Sequence, residues 1–147
     1  MTNIENKKVL IAGVSFRFKS RFSPENSSTG WSCCWHSARY QSQIAKFKAL
    51  SPGHALAIEM DIINPVQVQA GVEKASANLG QIDKLANHAG YSLVGAIKET
   101  SDLEAQQMLD TNFLGSLRVI RNLLPQIRQQ KSGHIINYSA IGGFTGF

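Results

Sequence analysis

"KKVLIAG", residues 7–13, is a pair of lysines followed by a continuous apolar run that stops at a glycine. A strand buried on both faces reads this way, whereas a half-exposed strand alternates. Three later stretches repeat the theme: "HALAIEMD" (54–61), "IDKLANHAG" (82–90) and "HIINYS" (134–139). Helical patterns separate them. Asn64 followed by Pro65 predicts a helix N-cap with proline at the first helical position. Val68, Val72, Ala75 and Leu79 then recur at helical spacing, and Gly80 ends the helix. A second helical pattern runs from Thr100 to about Gln130, with Leu109, Phe113, Leu117, Ile120 and Leu124 on one side. "QSQIAKFKAL" (41–50) reads as a short helix closed by Ser51, Pro52 and Gly53.

Strands alternating with helices predict an α/β fold, a doubly wound parallel sheet. Such sheets bind ligands beyond the carboxyl ends of their strands. The positions to inspect are therefore Gly13, Asp61, Asn87 to Gly90, and Ser139 onward.

The 147 residues suffice for one domain with a real core. No stretch approaches eighteen continuous apolar residues, so no membrane partner is expected. The N-terminus lacks the apolar run of a secretory signal, and the two cysteines, Cys33 and Cys34, are adjacent. A reducing cytoplasm is the expected compartment. The four histidines are dispersed, and no metal site is expected. The net charge of +5 is concentrated: Arg17, Lys19, Arg21 and Arg39 stand against Glu25 alone between Gly13 and Tyr40. A nucleic-acid partner is not expected from basicity confined to one segment.

With these residues in place, the chain resembles the short-chain dehydrogenase/reductase family from about Lys7 to Phe147, outside roughly Phe16 to Ser37. The family's Asn-Asn-Ala-Gly is matched by Asn87-His88-Ala89-Gly90, with one departure, and its helical Asn-x-x-Gly by Asn112 and Gly115. Its catalytic serine at the end of the fifth strand is matched by Ser139. The resemblance implies a partial Rossmann domain over residues 1–147, with the sheet truncated after the fifth strand. It implies hydride transfer between NADP (or NAD) and a small-molecule alcohol or carbonyl substrate, and homo-oligomers among full-length relatives. Ser139 would orient the substrate oxygen, and Asn112 would help hold a proton-relay water. Gly13, Asn87, Ala89 and Gly90 would shape the cofactor site, and Asp61 would face the adenine. Arg39, after the second strand, would bind a 2′-phosphate. The family's Tyr-x-x-x-Lys pair, in which the lysine lowers the tyrosine's pKa, does not occur in these residues. The chain itself is therefore expected to be inactive. The helix around Phe113 to Leu124 is expected to leave apolar surface uncovered.

The turn after Gly13 departs most from the family. Gly-x-x-x-Gly-x-Gly would let backbone N–H groups approach a pyrophosphate, but Arg17 and Lys19 stand at the second and third glycine positions. Glycines are needed there for close approach, so cations do not replace them, and this weighs against cofactor binding by this chain. A shifted codon reading accounts for the anomaly. Trp31-Ser32-Cys33-Cys34-Trp35-His36 can then spell Gly-His-Val-Val-Gly-Thr, a second strand. Phe16-Arg17-Phe18 can yield Ser-Gly, although the third glycine is not recovered. Two compensating frame changes, near codons 15 and 37, would make residues 16–37 an aberrant segment that costs the fold its first crossover helix and second strand. A lineage-specific insertion is the alternative.

Other readings stay open at this level. Ser139 does not sit in Gly-x-Ser-x-Gly, which argues against a hydrolase elbow. His88 reads as a loop variant rather than an acid or base. A nucleotide-binding module without turnover, or a polyanion-binding protein using the basic segment, are the other classes.

Overall fold

The computed structural model describes residues 7–13 and 55–140, together with the backbone of 31–35. Its centre is a five-stranded parallel sheet: β1 (Val9–Ala12), β2 (Trp31–Trp35), β3 (Ala55–Glu59), β4 (Lys84–Asn87) and β5 (His134–Asn137). The strands lie in the order β3-β2-β1-β4-β5. The chain therefore winds outward from β1 through β2 to β3, then crosses to the other side of β1 for β4 and β5. The reversal between β1 and β4 is the topological switch point of a doubly wound sheet.

All four residues of β1 are buried, as its unbroken apolar run requires. α1 (Pro65–Leu79) starts as its sequence dictates: the Asn64 side chain accepts from the N–H groups of Val66 and Gln67, and Pro65 opens the helix. Gly80, at φ 74, ends it. Val68, Val72 and Ala75 are buried against the sheet. Gly71 is needed for that contact, because a Cβ there would lie 2.6 Å from Met60 Sδ.

The second helical stretch is continuous but not uniform. α2 (Asp102–Leu109) opens with a Ser101–Glu104 capping box. A π-helical turn, Asp110–Gly115, then leads into α3 (Ser116–Gln130). The expected seam is shifted. The buried row is Thr111, Gly115, Val119 and Leu123, whereas Leu109 and Phe113 are 52% and 62% exposed. Leu117, Ile120 and Leu124 are half-buried. Gly115 lies in the seam because Ile62 fills the space of its missing side chain, with Cδ1 2.6 Å from where a Cβ would stand. Apolar surface at Leu109 and Phe113 is thus uncovered, as the sequence suggests.

The structure also corrects the expected loss of the second strand. β2 is present and pairs in parallel with both β1 and β3, Cys33 opposite Ile11 and Ala57. Trp and Cys are compatible with a strand, so the segment takes the central slot despite its unusual composition. The crossover between β1 and β2, the predicted helix at 41–50 and most of residues 16–37 lie outside the described residues.

At the amino ends of the strands, Asp83 fastens three of them together. Its carboxylate accepts from Lys8 N (2.8 Å), Gln81 Nε2 (2.6 Å) and Lys7 Nζ (3.3 Å). Its backbone carbonyl accepts from His134 N at the start of β5. Burial opposes ionisation of this carboxyl, yet the donors from Lys8, Gln81 and Lys7 outweigh it and hold the pKa below the ordinary 3.8. A pKa lower in the folded state stabilises at pH values above the unfolded one, and the gain is lost as pH falls through the folded value. Asp83→Ala should therefore cost about 1–3 kcal/mol at pH 7. The variant should also lose less stability than the native chain between about pH 5 and pH 2, as compared by urea unfolding across that range.

Candidate active site at the carboxyl ends of the strands

β1, β4 and β5 end side by side, and their last residues form one connected cluster. Gly13 follows β1 at φ 87, a conformation that favours glycine. A Cβ there would lie 2.2 Å from the backbone of Ala89, so only glycine lets the end of β1 close on the loop after β4. His88 N donates to Ala12 O at 2.8 Å, and the His88 ring Nδ1 lies 3.2 Å from Gly13 O. The carbonyl can only accept, so Nδ1 carries the proton. The His88 ring meets Tyr138 edge to face, with centroids 4.8 Å apart.

Asn87 is 2% exposed and donates from Nδ2 to Asn137 Oδ1 at 2.8 Å, cross-linking β4 to β5. Its Oδ1 is buried with no hydrogen-bond partner among the described residues. Exchanging oxygen and nitrogen in both amides would preserve the cross-link but leave Nδ2 orphaned instead. In either setting one buried polar atom of Asn87 lacks a partner among the described residues. An atom of this kind calls for a water or a ligand group.

Asn112 sits in the π turn, exposed, and grips the loop after β4 with both ends of its amide. Oδ1 accepts from Tyr91 N at 3.0 Å, and Nδ2 donates to Tyr91 O at 2.8 Å. Gly90 precedes that clamp, and a Cβ on it would come within 3.1 Å of Asn112 Oδ1. The side chain of Asn112 thus holds the loop after β4 through Tyr91. Ser139 is exposed just past the last rung of the β4–β5 ladder, where Tyr138 N donates to Asn87 O at 2.9 Å.

Asp61 stands two residues beyond β3, on the far side of β1 from β4. Its Oδ1 accepts from Ile63 N at 3.0 Å, shaping the turn into α1. The sheet thus brings Gly13, Asn87, Ala89, Gly90, Asn112 and Ser139 to one end, with Asp61 at the same end farther along. Arg39 lies outside the described residues. The contributions of Asn137 and Tyr138 were not anticipated, although a polar residue closing an apolar strand next to Asn87 was the available signal. Among the described residues no group of His, Cys, Asp and Glu could hold a metal ion.

Residues 9–147 match the family described as short chain dehydrogenase. An uncharacterized oxidoreductase of Schizosaccharomyces pombe is 38% identical over 90 residues, which cover 61% of this chain and 38% of that protein. Ketoacyl reductase HetN of Nostoc is 31% identical over 149 residues, 99% of this chain and 52% of HetN. Among solved structures, a short-chain dehydrogenase from Streptomyces avermitilis superposes with a TM-score of 0.81 at 26% identity, covering 97% of this chain and 52% of that one. ElxO with NADP bound superposes at 0.77 and 25% identity, with coverages of 97% and 58%. The chain thus spans between 38% and 58% of the length of these relatives.

Two substitutions probe the cluster. Gly13→Ala should destabilise the protein by more than about 1 kcal/mol, since it combines a left-handed backbone with a clash on Ala89. Asn112→Ala should leave α3 intact but raise amide exchange at Tyr91 by roughly tenfold, reflecting two lost hydrogen bonds. Hydrogen–deuterium exchange resolved to that peptide reads the difference.

Proposed function

The chain belongs to the short-chain dehydrogenase family, and on that premise we propose that these residues form the nucleotide side of an NADP(H)-dependent oxidoreductase site. The substrate side would take a small alcohol or carbonyl compound. What supports this reading most is the buried amide atom of Asn87, without a hydrogen-bond partner among the described residues, at the carboxyl end of β4 beside the switch point. A nicotinamide dinucleotide is rich in hydroxyl and amide groups that could satisfy it, so the residues present fit such a group. NADP bound to ElxO supports the choice of cofactor.

In this reading Gly13, Ala89 and Gly90 bring backbone close to the dinucleotide, Asp61 faces its adenine end, and Arg39 meets a 2′-phosphate. Ser139 offers a hydroxyl to the substrate oxygen. Asn112 acts as a positioning residue through Tyr91. The cofactor, when bound, supplies or accepts the hydride. Moving the accompanying proton needs an acid tuned by a neighbouring cation, and these residues contain no Tyr-x-x-x-Lys. The chain by itself should hold NADPH weakly and not turn it over. We place it in the cytoplasm; among the described residues no helix is long and apolar enough to cross a membrane.

A second proposal concerns residues 16–37, which we read as the product of two compensating frame changes. The position of β2 supports it: the strand occupies Trp31–Trp35, the stretch that the shifted codons rewrite as Gly-His-Val-Val-Gly. Independent sequencing of the gene from codon 9 onward tests this directly. A restored second glycine and a Gly-x-Val-Val-Gly strand would establish it, and confirmation of Phe16-Arg17-Phe18 would reject it.

For the cofactor, NADPH fluorescence on titration with the purified chain should saturate in the high micromolar range or above, as expected for a defective turn. Oxidation of NADPH in the presence of carbonyl compounds should stay at the background rate. Turnover above background would overturn the inactive reading, and no fluorescence change at millimolar chain would overturn the nucleotide reading.

A further inference from the structure

One guanidinium links the loop after β3 to the π turn. Arg118 lies in the first turn of α3, and its side chain is 24% exposed, so water competes only in part for its donors. Nη1 donates to Ile62 O at 3.4 Å and to Asp110 O at 3.3 Å, and Nη2 lies 4.0 Å from Asp110 Oδ1. These are charge-assisted contacts, stronger than their neutral counterparts. Arg118 thus reaches back over the whole π turn, from the helix that follows it to the residue that opens it.

Each anchor of Arg118 leads to a loop at the carboxyl end of the sheet. On one side, residues 60–63 leave β3 with Met60 and Ile62 buried, and Ile62 fills the space beside Gly115. The Asp61 carboxylate closes this loop by accepting from Ile63 N. On the other side, Asp110 and Gly115 bound the turn that carries Asn112, whose amide holds both the N–H and the carbonyl of Tyr91 after β4. β2 and β1 stand between β3 and β4 in the sheet. The two loops are nevertheless joined by a short series of contacts, from Ile62 through Arg118 and Asp110 to Asn112.

We infer that Arg118 is a positioning residue that locks the loop after β3 to the loop after β4 through the π turn, so that the two loops keep one spacing. A ligand long enough to touch both, such as a dinucleotide, then meets a preorganised span. A ligand that touches one loop gains nothing from the lock. This consequence for ligands rests on the nucleotide reading above, whereas the lock itself does not.

The test uses the whole chain. Arg118→Met keeps the apolar stem and removes every donor, and Arg118→Gln keeps an amide on a side chain too short for the same reach. In hydrogen–deuterium exchange, both variants should exchange the Ile63 and Tyr91 amides roughly threefold faster than the native chain. Exchange around Val72, buried in α1, should stay at the native rate. Faster exchange at Ile63 with Tyr91 unchanged would overturn the inference. So would an equal rise at Val72, which reports loss of the fold as a whole. Titration with NADPH and with adenosine 2′,5′-bisphosphate then separates spacing from charge. Both variants should bind NADPH roughly three- to tenfold more weakly and the bisphosphate as the native chain does, because a lost charge alone would weaken both anions. Equal weakening of the two would overturn the role in spacing and leave the nucleotide reading standing. Failure of the native chain to bind either would overturn the nucleotide reading, and exchange at Tyr91 would decide the lock by itself.

Discussion

The close approach of Gly13 to Ala89 is the contact on which the rest of this end of the molecule depends. Parallel strands whose order reverses leave a gap at the point of reversal, and the depth of that gap is set by how closely the flanking chains can meet. Here they meet backbone to backbone, within the space that any side chain at position 13 would need. That contact seats the loop after β4, and the loop in turn carries His88, Gly90 and Tyr91 into their partners. The Asn112 clamp on Tyr91 fixes the far side of the same loop. Without the first contact, the others would have nothing rigid to hold.

Much of the scaffold was legible because its signals are local. The unbroken run of β1, the Asn64–Pro65 start of α1 and its apolar row all turned out as read. The buried seam of the long helical stretch runs out of phase with its largest apolar residues for an identifiable reason. A π turn at Asp110–Gly115 inserts an extra residue, and a pattern traced at a steady helical period cannot register it. The largest apolar side chains drew the seam through Leu109 and Phe113, whereas the core selected the small Gly115 because Ile62 needed the room. Long-range contacts were equally invisible: His88 and Gly13 are 75 residues apart, so the histidine reads as a bare loop variant until the strands are paired. Asn112 stood out for its unfavourable place in a helix, but its grip on Tyr91 could not be seen from spacing.

β2 teaches the converse lesson. Its residues argue against a place in this fold, and the backbone nevertheless occupies the slot between β1 and β3. A central strand is specified as much by the two neighbours that need its hydrogen bonds as by its own side chains. Five residues of acceptable β-propensity suffice when both flanking ladders demand a partner.

β4 shows how a single short strand divides stability from chemistry. Asp83 lies just before it and Asn87 closes it, four residues apart. Asp83 is ionised, multiply bonded and saturated by Lys7, Lys8 and Gln81 at the rim where the strands begin. Asn87 is neutral, also buried, and carries one polar atom without a partner among the described residues at the rim where they end. Because every strand runs the same way, all the starts share one rim and all the ends share the other. The fully paired charge network can therefore hold the sheet together without restricting the crevice. The unsatisfied group can wait at the opposite rim, where its cost is small against the stability secured below it.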